Sequence, residues 1–281
     1  MTYEKFLKEQ CRLALTLNKE EKAVKLLLMK NSGFTATQLY LNYPKEIPDL
    51  VRSKTLSDLE LYFYKNQPVQ YIIGYTYFYG LKLMIRRGVL IPRSETELVV
   101  EKVLENIIDF PNPKILDLGI GSGAIALALK KNRTDALLTG SDLSDTALEV
   151  ASLNAKFNNL DITILKSNIF ENINDRFDVL VSNPPYIDKE EDIDIIVGEN
   201  EPPEALFAEK EGLYFYEEIL RNANKVLKRS NLIVFEIPEN KDRELISLVK
   251  TYYSPCEFEI VKDLNNLSRI LIIKNYWRKY L

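Results

Sequence analysis

From Pro113 onward the sequence repeats one local pattern: an apolar run of strand length, a loop, then a segment of helix length. KILDLG is followed by AIALALKKN and ALLTGSD by TALEVASLNAKFN, and then come DITILKS and FDVLVSN. A helix-like stretch from Tyr214 to Lys228 precedes NLIVFEI, and EFEIVKD and SRILIIKN close the series. This alternation predicts an open, mostly parallel α/β sheet covered by helices on both faces.

The segment before it reads differently. Leu7, Cys11 and Ala14 recur at helical spacing, and Ser57 to Glu60 fits a capping box that would open a helix over SDLELYFYKN. Asn31-Ser32-Gly33 and Tyr43-Pro44 punctuate the region as turns. After Pro68, aromatic and β-branched residues surround Gly80 and Gly88, the composition of a β-hairpin. The expected division is a helical domain over 1–75, a hairpin linker over 76–92 and an α/β domain over 93–281. Residues 1–90 carry 14 Lys and Arg against 8 Asp and Glu, whereas 91–281 carry 23 against 33. No stretch approaches the ~18 apolar residues of a membrane span, and the opening MTYEKFLKEQ has charges where a signal peptide needs an apolar core, so a cytoplasmic protein is expected.

Histidine is absent, which removes Ser-His-Asp and Cys-His nucleophile schemes and the commonest zinc ligand. Two cysteines, Cys11 and Cys256, argue against a metal cluster or a disulfide framework, and no metal is expected. Carboxylates, amides, hydroxyls, backbone groups and an organic cofactor remain.

Asp117, Gly119, Gly121 and Gly123 stand where a buried strand turns into a helix. Glycine there lets a ligand approach the backbone and permits positive φ. Asp142 follows 23 residues after Gly119, at the end of the next expected strand, where its carboxylate can accept from two ribose hydroxyls. The loop alone does not separate S-adenosylmethionine from NAD, because Gly119-x-Gly121-x-x-Ala124 also meets the relaxed dinucleotide pattern.

FDVLVSN ends in Asn183-Pro184-Pro185-Tyr186. The prolines hold Asn183 and Pro184 extended, leaving the Pro184 carbonyl and the Asn183 side-chain oxygen as two neighbouring acceptors beside the Tyr186 ring. Such a cradle suits a planar NH2 group. Gripping both of its N–H bonds favours a pyramidal nitrogen and aims its lone pair, with no general base required before attack.

Taken together, these motifs resemble the amino-methylating class I S-adenosylmethionine-dependent methyltransferases. The segment QPVQYIIGYTYFYGLKLMIRRGVLIPRSETELVVE is similar to the signature of the HemK/PrmC family, protein-glutamine N5-methyltransferases acting on peptide chain release factors. Glu201-Pro202 before Ala205-Leu206, and Glu211-Gly212-Leu213, follow the same family. The resemblance implies a seven-stranded Rossmann-like sheet and a glutamine substrate in a Gly-Gly-Gln loop of a class I release factor. It further implies that Asn183 and Pro184 grip the amide with Pro185 beside them, and that Tyr186 packs on it. Gly119, Ile120, Gly121, Ser122 and Gly123 would carry the methionine part of the cofactor with Asp117 and Asn183 alongside, Asp142 its ribose, and Asn168 and Ile169 its adenine. Pro92 to Glu97 would border the cofactor pocket.

The sequence departs from the family at four places. Ser94 stands where proline is usual, Ile120 where a threonine or small residue is usual, and Asn168 where aspartate is usual; EIPEN at 236–240 replaces a glycine-containing strand end. Asn168 can still accept through its amide oxygen. The nearest rival reading is a nucleic-acid adenine or cytosine methyltransferase, which uses the same turn on an exocyclic amine. The acidic balance of 91–281 opposes it, because phosphate binding needs Lys and Arg. An NAD-dependent reductase would leave Asn-Pro-Pro-Tyr unexplained, and a non-catalytic cofactor binder would be expected to lack Asn183.

Overall fold

Helix α1 (Tyr3–Thr16) begins where the Thr2 hydroxyl accepts from Lys5 N–H, and α2 (Glu21–Ser32) ends at Gly33, whose φ of +71° suits a residue without Cβ. The computed structural model, which describes residues 1–275, continues with α3 (Ala36–Leu41), opened by a Thr35–Gln38 capping box. Helix α4 spans Asp49–Tyr64 and α5 spans Val69–Ile73. Phe6, Val24, Leu27, Leu28, Leu39, Leu59 and Phe63 form their shared core. The expected capping box at Ser57 is not a helix start. Ser57 lies inside α4, which opens eight residues earlier after Pro48, so its S-x-x-E spacing is coincidental.

Two further expectations change here. Tyr71 to Ile73 are helical rather than extended, because burying Tyr71 and packing Ile72 and Ile73 on the helical core outweighs their β-type composition. The hairpin is therefore shorter than the sequence suggests: β1 (Tyr75–Phe78) and β2 (Leu81–Met84) join through Tyr79-Gly80, both at positive φ, and Gly88 lies outside any strand.

The α/β part starts with α6 (Glu97–Asn106) and runs through β3 (Lys114–Leu118), α7 (Ala124–Asn132), β4 (Leu137–Asp142), α8 (Asp145–Phe157), β5 (Thr163–Lys166) and β6 (Phe177–Ser182). It continues with α9 (Ile195–Asn200), α10 (Pro203–Leu206), α11 (Tyr214–Asn222), β7 (Leu227–Glu236), α12 (Asp242–Tyr252), β8 (Glu257–Lys262) and β9 (Ser268–Asn275). Helix α11 stops six residues before the expected Lys228, since a short 3₁₀ turn at Ala223–Lys225 leads directly into β7.

The seven strands lie in the order β5-β4-β3-β6-β7-β9-β8, and β9 runs antiparallel to both its neighbours. Every residue of β6 is buried, as expected for a strand covered on both faces. Strand β3 pairs with β4 on one side and β6 on the other, so successive crossovers leave the sheet in opposite directions there. The carboxyl ends of β3, β4 and β6 thus share one edge at the switch point, where open α/β sheets hold ligands.

The chain divides into two compact units, residues 1–75 with 193–200, and residues 76–192 with those from 201 onward. Residues 193–200, which the sequence reading leaves in the α/β domain, thus belong with the helices. Within that unit Ile196 packs on the helical core, Asn200 is buried, its Nδ2 donates to Asn66 O at 2.8 Å, and Asn66 Nδ2 donates to Glu199 at 3.0 Å. Among the described residues no helix is long and apolar enough to cross a membrane.

Candidate active site

The loop after β3 is held from behind by its neighbour strand: the N–H groups of Gly119 and Ile120 both donate to Ser141 O, at 2.8 and 2.9 Å. Gly119, Gly121 and Gly123 have φ of +77°, +55° and +85°. A Cβ placed at Gly119 would meet nothing within 4 Å, so the space beside it is open to a ligand. Ser122 is buried, and its carbonyl accepts from Asn154 Nδ2 at 2.9 Å; the same amide exchanges two bonds with the backbone of Met84. Asn154, which no motif marked, therefore stitches the hairpin to the glycine loop.

Asp117 is buried, with Oδ2 accepting from Ala126 N–H at 3.0 Å and Oδ1 buried without a partner. Burial pushes its pKa up to about 7; the Ala126 N–H opposes that rise and the charge of Asp142 adds to it. Asp142 receives Gly121 N–H on one oxygen at 3.0 Å and Ser144 N–H on the other at 2.9 Å. Each oxygen keeps a lone pair for a further donor.

Ile120 takes no part in this open face. Its side chain is buried against Gly140, where an added Cβ would lie 2.0 Å from Ile120 Cδ1. The larger residue is accommodated because its neighbour on β4 has no side chain. Asn168 is exposed and donates to Glu171 at 3.0 Å, while Ile169 sits at a φ of +47°, unusual for a β-branched residue, and its carbonyl accepts from Ser167 Oγ at 3.0 Å.

At the end of β6, the Ser182 hydroxyl donates to Leu118 O at 2.6 Å, tying this strand end to β3. Asn183 Nδ2 donates to Thr96 Oγ1 at 3.3 Å, which turns Oδ1 away from Thr96 and leaves it unpartnered. Among the described residues no backbone N–H points to the Pro184 carbonyl. Among the described residues neither Asn183 Oδ1 nor the Pro184 carbonyl has a hydrogen-bond partner. Pro185 and Tyr186 are half-buried, and the Tyr186 hydroxyl donates to Glu236 Oε1 at 3.4 Å. Burial, reinforced by the charge of Glu236, holds that phenol protonated far above its ordinary range. Gly212 presses against the same residue: a Cβ there would lie 2.1 Å from Tyr186 O. Ile187 N–H donates to Leu206 O and Ile187 O accepts from Ala208 N–H, both at 2.9 Å, so the chain beyond the turn is clamped by the segment around Ala205-Leu206. Arg93 and Ile91 N–H both bond the buried Glu201 carboxylate, at 2.7 and 3.1 Å, which anchors the segment leading to Thr96.

S-adenosylmethionine suits these residues. It carries an ammonium group for an unpaired buried carboxylate oxygen, a ribose diol for a strand-end carboxylate, and a chain that needs open backbone beside glycine. The sheet order, the glycine loop and the Asn-Pro-Pro-Tyr turn define a class I S-adenosylmethionine-dependent methyltransferase. Residues 94–200 match the family described as Methyltransferase small domain. A methyltransferase from Pyrococcus furiosus shares the fold with a TM-score of 0.51 at 18% identity, over 70% of this chain and 89% of that one. The release factor glutamine methyltransferase of Streptococcus pneumoniae is 37% identical over 247 residues, 87% of this chain and 88% of the relative. That of Staphylococcus aureus is 30% identical over 280 residues, 98% of this chain and 99% of the relative. This chain belongs to the release factor glutamine methyltransferase family.

Proposed function

We propose that this protein transfers a methyl group from S-adenosylmethionine to the side-chain amide nitrogen of the glutamine in the Gly-Gly-Gln loop of class I peptide chain release factors, acting in the cytoplasm. The observation that carries the reading is the orientation of Asn183. With Nδ2 on Thr96, its Oδ1 has no partner, and neither has the carbonyl of the next residue, Pro184. Two acceptors match the two N–H donors of a planar NH2 group, and the likeness to release factor glutamine methyltransferases favours a glutamine amide over a base amine.

Asp117 Oδ1 and the backbone at Gly119 to Gly123 would hold the amino-acid end of the cofactor, Asp142 its ribose, and Asn168 and Ile169 would border its adenine. When bound, S-adenosylmethionine supplies a methyl group made electrophilic by its sulfonium. Asn183 and Pro184 weaken the conjugation of the substrate amide by holding both its N–H bonds, so the nitrogen lone pair is available in one direction. The half-buried Tyr186 limits the freedom of that amide and excludes water from one side. The methylated nitrogen is left with one proton too many; it is then strongly acidic and yields that proton to solvent. The absence of histidine is therefore no obstacle.

A single glutamine side chain buries too little surface to select one protein among many. We assign further recognition to residues 1–90, supported by their positive balance, to which Lys82, Arg86 and Arg87 beyond the helical unit contribute, and by exposed Tyr40, Leu41, Leu50 and Tyr64 within it. Mass spectrometry of a release factor and of a short Gly-Gly-Gln peptide, each incubated with the full-length protein and S-adenosylmethionine, tests both parts. A shift of about 14 Da on the glutamine is expected in both, with kcat/KM higher for the intact factor and falling with salt. An unmodified glutamine would refute the activity, and equal kcat/KM values would refute the second contact.

A further inference from the structure

We propose that Asn154 is a positioning residue through which the hairpin sets the backbone of the glycine loop for the amino-acid end of S-adenosylmethionine. The inference deepens the function proposed above and rests on its placing of that end at Gly119 to Gly123. Asn154 lies within α8, away from both the loop and the Asn-Pro-Pro-Tyr turn along the chain.

Helix α8 carries the hairpin along its length. Asn154 and Asn158 stand about one turn apart on the helix, a rise of about 6 Å, and Lys82 and Met84 are alternate residues of a strand, roughly 6.6 Å apart. The spacings match closely enough for the two asparagines to serve the backbone of β2 as a further strand would. Asn154 Oδ1 accepts from Met84 N–H at 2.6 Å and its Nδ2 donates to Met84 O at 3.0 Å, while Asn158 Nδ2 donates to Lys82 O at 3.1 Å. Nearer the start of α8, Val89 packs with Ala147 and Val150, and Gly88 is pressed on Thr146, where an added Cβ would lie 3.2 Å from Cγ2. The hairpin tip is tied down as well: Tyr79 N–H donates to Glu97 at 2.6 Å, and Lys131 Nζ donates to Gly80 O at 3.0 Å.

The backbone of Met84 fixes which way the Asn154 amide lies. A backbone N–H can only donate and a carbonyl can only accept, so Met84 admits Oδ1 at its N–H and Nδ2 at its O; the reverse placement would set donor against donor and acceptor against acceptor. One Nδ2 proton is left, and it goes to Ser122 O at 2.9 Å. Asn154 is fully buried, so water does not compete for that bond. Ser122 stands between Gly121 and Gly123, both at positive φ, and glycine lets the adjoining peptide planes turn at little steric cost. The freedom that opens the loop to a ligand therefore leaves its carbonyls without a direction of their own. Asn154 on Ser122 O, together with Gly123 N–H donating to Ile120 O at 2.8 Å, holds both ends of one such plane. Ser122 N–H meanwhile has no partner among the described residues. Released from Asn154, the Ser122 carbonyl is able to turn toward the open side of the loop, where the negative end of its dipole would oppose the carboxylate of the cofactor. The hairpin thus sets, through one side chain, the fraction of unliganded loops that are ready to bind.

Calorimetry on the full-length protein with two probes tests this: S-adenosylhomocysteine, and methylthioadenosine, which shares its ribose and adenine but lacks the amino-acid end. Asn154→Asp keeps the size of the side chain and the acceptor for Met84 N–H but has no amide donor for Ser122 O; Asn154→Ala removes every one of these bonds. Asn158→Ala removes a hairpin bond and leaves the loop alone. Both Asn154 variants are expected to bind S-adenosylhomocysteine at least about 10-fold more weakly, the factor that follows when about one loop in ten is ready, with methylthioadenosine affinity held within about twofold. Activity on a Gly-Gly-Gln peptide should show the same split, with a raised KM for S-adenosylmethionine and a kcat at saturation within about threefold of wild type. Asn158→Ala should bind both probes within about twofold of wild type even where it melts lower. Coupling is reciprocal, so in wild type the Met84 amide proton should exchange more slowly with S-adenosylhomocysteine bound than with methylthioadenosine at equal occupancy, a readout that stands even where neither Asn154 variant folds. The proposal is overturned by equal losses for the two probes, by an Asn154→Asp protein that binds S-adenosylhomocysteine as wild type does, by an Asn158→Ala loss as deep as that of Asn154→Ala, or by equal exchange at Met84. Wild type that binds S-adenosylhomocysteine no more tightly than methylthioadenosine overturns the placing of the amino-acid end at the loop, and this proposal with it; wild type that prefers S-adenosylhomocysteine beside an Asn154→Asp that prefers it equally overturns this proposal alone.

Discussion

The glycine loop after β3 and the Asn-Pro-Pro-Tyr turn after β6 occupy one edge of the same sheet and are held in opposite ways. The loop is held at its backbone: three glycines at positive φ, two N–H groups on Ser141 O of β4, Gly121 N–H on Asp142 and Ser122 O on Asn154. The turn is fixed by partners from elsewhere in the sequence, with Thr96 on Asn183, Glu236 on Tyr186 and Gly212 against the Tyr186 carbonyl. A cradle that must only be open can be held through its backbone groups alone. A cradle that must present acceptors in one direction needs outside groups to set that direction.

If this contrast is right, damage to the turn should reduce turnover while damage to the loop reduces cofactor binding. The largest expected effect lies in the turn. Asn183→Ala should lower methylation at least about 10²-fold, comparable to loss of a preorganised polar group, while calorimetry finds S-adenosylmethionine affinity nearly unchanged. A parallel loss of affinity would merge the two regions into one site. On the other side, Asp142→Ala removes both the proposed ribose acceptor and the partner of Gly121 N–H. A loss of about 1.5 to 3 kcal/mol in cofactor binding is expected, in the range of hydrogen bonds to charged groups; unchanged affinity would break the ribose assignment.

Asp117 sharpens the comparison through pH. Its pKa of about 7 lies above its ordinary 3.8, so the folded chain without cofactor favours the protonated acid. Folding stability is therefore lost as pH rises from about 4 to 7, where the unfolded chain has already released the proton. An ammonium group beside the ionised carboxylate reverses that loss. S-adenosylmethionine affinity should thus fall up to about tenfold between pH 8 and pH 6, and the thermal shift it produces should be greater at pH 8. A flat profile would mean that Asp117 does not receive the amine. The smallest expected change returns to the turn: Tyr186→Phe removes one long hydrogen bond to Glu236 but keeps the ring, so kcat should fall only a few-fold, or about 0.5 to 1.5 kcal/mol. A loss as deep as that of Asn183→Ala would show that the hydroxyl, not the packing, matters.

The same contrast explains what could be read from the sequence. The strands from β3 to β9, the glycine loop and Asp142 were legible because conformational demands fall on residues that are neighbours along the chain. The turn itself was legible because proline declares its own φ. The contacts that hold it were not: Thr96 lies in the segment expected to border the cofactor pocket and Glu236 opens EIPEN, but their bonds to Asn183 and Tyr186 exist only once folding brings them together. Ser57 misled in the reverse sense, because a capping spacing has force only where a helix actually begins. Ile120 departs from the family pattern, and its explanation lies at Gly140 on the neighbouring strand.

The discontinuity of the helical unit has a consequence for how the protein comes into being. Its five helices leave the ribosome before any of the sheet, but Ile196 and Asn200, which complete their packing, are made only after more than a hundred further residues. At elongation rates of about 5 to 20 residues per second, that wait is on the order of ten seconds. Through it the helices must persist as an unfinished body while β3 to β6 are synthesised. Recombination that exchanged the first 75 residues alone would therefore pass on an incomplete module. Only an exchange that carries residues 193–200 along with the first 75 transfers the whole helical unit.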